Sequence, residues 1–105
     1  MRFVETTVFT RQIVEALSDD AYRLLQEALL RRPEQGAMIK ETGGARKLRW
    51  ADEGRGKRGG LRVIYYWHSE REIFLMLYSY RKTEQKDLTA AQRKVLAQVI
   101  RQEFK

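Results

Sequence analysis

Two runs rich in β-branched and aromatic residues, Leu61–Trp67 and Ile73–Tyr80, stand either side of the short polar segment Ser69–Glu72. A connection that short cannot carry a crossover of a dozen or more residues, so the two runs can pair only as neighbouring antiparallel strands. Ahead of them, Ala45–Trp50 alternates basic and apolar residues (Arg46, Lys47, Leu48, Arg49, Trp50), which is the period of a third strand. The centre of the chain is therefore an antiparallel meander. Whatever flanks it must cover its apolar face.

Helices supply that cover. Phe3–Thr6 reads as a short first strand, and Val8–Leu17 and Ala21–Arg32 as two helices joined tightly enough to form a hairpin. In the second, Leu24, Leu25, Ala28 and Leu29 make an apolar stripe, Ser18 is placed to cap with Asp19 and Asp20 in the first turn, and Pro33 ends it. After the meander, Ala90–Phe104 is a third helix, with Thr89 as cap, Gln92 completing a capping box, and Val95, Leu96, Val99 and Ile100 as its buried face. The order β, α, α, β, β, β, α predicts a two-layer α+β domain: an N-terminal helical hairpin on a mostly antiparallel twisted sheet, with a C-terminal helix. One sheet face is packed on helices and the other is free for a ligand. The 105 residues suffice for one domain, 1–105, and show no repeat or linker.

Charge narrows the function. The chain carries a net +7, and the segment Lys40–Lys82 holds eleven Lys/Arg against five acids. A balance like this favours polyanionic partners. No apolar run approaches the length of a membrane span, and Met1–Thr6 has no signal-type apolar stretch. With no cysteine there is neither a disulfide framework nor a thiolate metal site, and a cytoplasmic protein is expected.

The densest basic segment is Arg55-Gly56-Lys57-Arg58-Gly59-Gly60-Leu61-Arg62, which runs directly into the middle strand. Glycine permits tight turns and close approach to a bulky ligand, while clustered Lys and Arg supply charge for phosphate. Antiparallel pairing brings the start of the middle strand beside the end of the last, so Arg62 is expected to converge with Tyr80, Arg81 and Lys82. Around them lie Arg46, Lys47 and Arg49 on the first meander strand and Arg55, Lys57 and Arg58 in the loop. Such a site suits RNA. Cleavage by internal attack needs a base for the 2′-hydroxyl, cations for the phosphorane and an acid for the leaving 5′-oxygen. A lysine of lowered pKa among other cations, or Tyr80, is the candidate proton carrier. His68, the one histidine, is read as a residue of the hairpin turn, and Glu84 and Asp87 as acids near the start of the last helix. Tyr65, Tyr66, Trp67 and Tyr78 are read as sheet core, and the Arg46–Arg49 alternation is equally compatible with a solvated strand face. No His/Asp/Glu cluster has metal-ligand spacing, and no Gly-rich strand–helix junction suggests a nucleotide cofactor, so any phosphodiester chemistry is expected to be metal-free.

The blocks Glu41–Arg49, Gly56–Tyr66 and Tyr80–Glu84 with Asp87-Leu88-Thr89, in this order, resemble the RelE superfamily of bacterial toxins from type II toxin–antitoxin modules, most closely its HigB branch. The resemblance spans nearly the whole chain, and its middle block is the most specific. It implies a ribosome-dependent endoribonuclease (an mRNA interferase) that enters the A site and cuts mRNA, inhibiting translation. It implies a cognate helix-turn-helix antitoxin as partner, with operator DNA reached only through the toxin–antitoxin complex. By position, Arg62 matches the strand arginine that contacts the scissile phosphate. Lys57 and Arg58 match the basic loop, Arg81 and Lys82 the basic pair after the last strand, and Tyr80 a tyrosine of the HigB-type motif. The last helix here holds no tyrosine or histidine, so the resemblance assigns no general base.

Two further readings compete. A non-catalytic basic module that binds structured RNA or the ribosome needs the same patch, since phosphate contacts dominate affinity in either case. A DNA-binding regulator is weakened because the basic excess lies on strands and a loop rather than on a recognition helix. A membrane-surface role is weaker still, because no helix joins a basic face to a strong apolar one.

Overall fold

The computed structural model describes residues 1–51 and 60–104. Its elements are β1 (Arg2–Glu5), α1 (Thr7–Ala16), α2 (Asp19–Arg31), β2 (Ala37–Met38), β3 (Arg46–Trp50), β4 (Leu61–His68), β5 (Ile73–Arg81) and α3 (Ala90–Glu103). The strands form one sheet in the order β1-β5-β4-β3-β2, antiparallel throughout except for the parallel pair β1–β5. This is the expected α+β architecture.

Each helix begins where its cap dictates. Thr6, read from the sequence as strand, instead caps α1: its Oγ1 accepts the Phe9 N–H at 3.0 Å and donates to the Leu77 carbonyl at 2.9 Å, fixing α1 to β5. Ser18 caps α2 and accepts the Ala21 N–H at 3.1 Å. Thr89 and Gln92 form the reciprocal box that starts α3.

Alternation along β4 divides the core in two. Leu61, Val63 and Tyr65 point to the helical hairpin and pack with Phe9, Ile13, Leu25 and Leu29. Ile64 points the other way and packs with Leu75, Leu77, Leu96 and Ile100 beneath α3. The second face is thus not left bare: α3 covers its β4–β5 part, and the basic residues of β3 and the start of β4 lie beyond that cover. Two residues placed on buried stripes by periodicity, Leu24 and Val95, are each 55% exposed. Both helices bury a narrower seam, Leu25 with Leu29 and Leu96 with Ile100, because each meets the sheet with one flank only.

Two features of the sheet escaped the sequence. The two-residue strand β2 pairs with β3 through Ala37↔Lys47 and Met38↔Arg46, its return made by a turn with positive φ at Glu41, Gly43 and Gly44. In β5 the pairing shifts by one residue: Ile64 opposes Tyr78 while Tyr65 opposes Met76, leaving Leu77 as a bulge. Phe74 and Met76 face the hairpin, but Leu77, Tyr78 and Tyr80 all pack with the α3-side core.

His68 is the last residue of β4 rather than a turn residue. Its Nδ1 accepts the Arg71 N–H at 3.1 Å, and its ring stacks on Phe104 with centroids 4.5 Å apart.

Candidate nucleic-acid site

The register places three of the sequence-selected residues in one row across three strands. Arg49 on β3 opposes Arg62 on β4, which opposes Tyr80 on β5. Lys47 lies two residues before Arg49, opposite Ile64, and so shares their face. Arg49 is exposed and Arg62 and Lys47 are half-buried. The result is a shallow cationic strip at one end of the sheet, clear of the α3 core. Paired strands hold its cations at fixed spacing, the property a phosphate site needs.

Tyr80 differs from its neighbours. It is 5% exposed, packed in the α3-side core with Leu88 and Leu96, and its ring lies 5.9 Å from that of Tyr78. Its hydroxyl is buried without a hydrogen-bond partner among the described residues. Burial, followed by the negative charge of Asp87, pushes the phenol above its ordinary pKa, against the smaller pull of Arg62 and Arg49. Tyr80 is therefore a neutral O–H at physiological pH, and its ring face is not presented for stacking on a base.

The other sequence-selected residues separate. Arg46 turns away from the strip, and its guanidinium donates to the carbonyls of Glu34 at 3.0 Å and Gly36 at 2.9 Å, with the Glu34 carboxylate at 3.4 Å. This fastens the α2–β2 connection. Arg81 lies on the hairpin side of the sheet and donates to the Ala16 carbonyl at 2.9 Å, at the C-terminus of α1 where a cation complements the helix dipole. Lys82 is exposed, and its N–H reaches the Gly60 carbonyl at 3.3 Å, carrying the β4–β5 ladder one step further. Arg55, Lys57 and Arg58 lie outside the described residues.

One pairing at the site was missed. Asp87 lies near the start of α3 as expected, two residues before its cap, but its Oδ1 stands 3.5 Å from Lys47 Nζ. The adjacent Leu88 N–H also donates to that oxygen at 2.8 Å. That N–H holds the carboxyl below its ordinary pKa against burial, the next largest effect, and Lys47 and Arg93 add smaller pulls in the same direction as the N–H. Lys47 and Asp87 are forty positions apart, and no local pattern announces the pair.

Among the described residues no group of three His, Asp or Glu side chains could hold a metal ion, and no helix is long and apolar enough to cross a membrane. The family model described as the RelE toxin of the RelE / RelB toxin–antitoxin system matches residues 1–104. A match over that length, on a fold whose sheet ends in a cationic strip, settles the family: the chain belongs to the RelE toxins and is the toxin partner of an antitoxin.

Proposed function

We propose that this toxin, of the HigB type within its family, is a metal-independent endoribonuclease that works on the ribosome and cuts mRNA in the A site. The observation that carries the reading is the row Arg49–Arg62–Tyr80, two guanidinium groups at fixed spacing on an open strip beside a neutral phenol. Arg62 binds the scissile phosphate and stabilises charge on the phosphorane, with Arg49 and Lys47 holding the neighbouring backbone. Lys57 and Arg58, the basic pair that the resemblance assigns to the site, and Lys82, exposed at the rim of the strip, complete the catalytic cations, with Arg55 as a further RNA contact. Lys82, exposed at the rim, delivers the proton to the leaving 5′-oxygen, or Tyr80 does so once RNA binding uncovers its hydroxyl. Arg46 and Arg81 touch RNA only from the margins, since their guanidinium groups bond to backbone carbonyls.

A shallow strip binds phosphate but does little to align the 2′-hydroxyl with phosphorus, and holding that geometry is a large part of the barrier. The decoding site supplies the alignment, which is the physical reason for ribosome dependence. The antitoxin is a helix-turn-helix protein through which the pair reaches operator DNA, and the toxin acts in the cytoplasm.

Primer-extension mapping of an mRNA on translating ribosomes tests the reading, using the wild type, Arg62→Ala and a lane without ribosomes. A-site cuts that need both the ribosome and Arg62 are expected. Ribosome binding with an intact message would instead make the protein a non-catalytic binding module, and cuts without ribosomes a free ribonuclease.

A further inference from the structure

Cations and a neutral phenol leave the proposed chemistry without a proton acceptor. The missing group should be a base on the strip, and among the described residues one carboxylate stands there. Asp87 reaches over the sheet from the β5–α3 loop to stand 3.5 Å from Lys47 Nζ, and its charge acts on Tyr80 together with those of Arg62 and Arg49. The only histidine is at the far end of β4, six residues or about 20 Å from Arg62, engaged with Arg71 and Phe104. Glu84 accepts the Arg81 N–H on the hairpin side of the strand, and Glu34 is paired to Arg46.

Resting on the nuclease reading, we propose that Asp87 is the general base that takes the proton of the attacking 2′-hydroxyl. In the step, the 2′-O–H proton passes to an Asp87 carboxylate oxygen as the O2′–P bond forms. The P–O5′ bond then breaks, and the 5′-oxygen leaves with a proton from Lys82 or Tyr80. The products are a 2′,3′-cyclic phosphate and a 5′-hydroxyl, and no further reagent is required. Among the described residues the groups facing Asp87 are Lys47 from β3, Tyr80 from β5 and Arg93 from α3. In the free protein Lys47 and the Leu88 N–H keep the carboxylate charged and in place. A phosphate arriving beside Lys47 competes for its ammonium and so raises the proton affinity of Asp87 when the base is needed.

The test is single-turnover cleavage of mRNA on programmed ribosomes by wild type, Asp87→Asn and Asp87→Glu. Two substrates are compared, one with the natural 5′-oxygen and one with a bridging 5′-sulfur at the scissile bond. Asparagine keeps an oxygen for the Leu88 N–H and removes only the basicity. Asp87→Asn is expected to slow cleavage by about 10²–10⁴-fold on both substrates, with ribosome binding and melting temperature unchanged and partial activity in Asp87→Glu. A rate near wild type overturns the assignment. So does rescue by the sulfur leaving group, which would make Asp87 the acid, or a parallel loss of binding or stability, which would make it structural. A wild-type protein that leaves the message whole fails the nuclease reading itself and is recognised from its own lane.

Discussion

Two tyrosines on neighbouring strands carry buried hydroxyls in opposite situations, and deleting each oxygen should have opposite effects. Tyr65, fully buried, donates to the Pro33 carbonyl at 2.7 Å and accepts the Gly36 N–H at 3.0 Å, closing the loop between α2 and β2. Tyr65→Phe strands both groups. A buried donor or acceptor left unmade costs about 1–3 kcal/mol, and the Pro33 carbonyl keeps some access to water, so about 2–4 kcal/mol is expected in all. At about 4–8 °C per kcal/mol for a domain near this size, the melting temperature should fall by roughly 10–25 °C. The Tyr80 hydroxyl is buried with no partner among the described residues, so Tyr80→Phe should leave stability unchanged or raise it by up to about 1 kcal/mol. Thermal and urea denaturation of both variants, followed by far-UV circular dichroism, gives the comparison. If Tyr65→Phe melts with the wild type, or Tyr80→Phe melts well below it, the hydrogen-bond reasoning is refuted. Cleavage by Tyr80→Phe then asks a separate question, since an unaltered rate would pass the leaving-group proton to Lys82.

A Cβ at Gly36 would lie 2.8 Å from Tyr65 Cε1, on a ring pinned by its own hydroxyl, so Gly36→Ala should cost about 1–3 kcal/mol in the same denaturation assay. Tyr22, Tyr65 and Tyr80 all have their pKa raised, chiefly by burial and for Tyr22 also by its bond to Glu5. The native state therefore keeps these protons after the unfolded chain releases them, and stability should fall as pH rises above about 10, with the slope halved or less in a Tyr22→Phe, Tyr80→Phe double variant. Arg81→Met should lower stability by about 0.5–2 kcal/mol through the lost Ala16 contact while changing ribosome affinity less than Arg49→Met does, a pair to be compared by denaturation and ribosome pelleting. Ribosome affinity should also fall steeply with salt, and Arg49→Met should flatten that slope.

Much of this architecture was legible because local and global signals agree. The short link between Leu61–Trp67 and Ile73–Tyr80 left one way to pair them, and that pairing sets Arg62 beside Tyr80. Ser18, Thr89 and Gln92 marked helix starts through chemistry confined to a few residues. What stayed hidden depends on distant partners. β2 is too short to have a period, although the Gly43–Gly44 pair before a strand was a usable hint of a return. Arg46 and Arg81 look like Arg49 and Arg62 in the sequence. Only the face each residue takes, and the carbonyls waiting there, separates the two that fasten backbone from the two left on the strip. Asp87 acquires its meaning from Lys47 on another strand.

The bulge at Leu77 gives the end of β5 a choice of partner. Paired without an extra residue, the same strand would slide by one position against β4, setting Ser79 opposite Arg62 and turning every outer side chain over. The phenol would go under the helices and the Arg81 guanidinium would join the strip, a denser cation array with no neutral proton donor. Two bonds from α1 keep the chain out of that alternative: Gln12 Oε1 accepts the Ser79 N–H at 2.7 Å, and the Ala16 carbonyl holds Arg81. The first helix, which contributes nothing to the strip, therefore acts as its registrar. Which chemistry the surface of the strip displays is thus tied to a register that residues outside the strip help to hold.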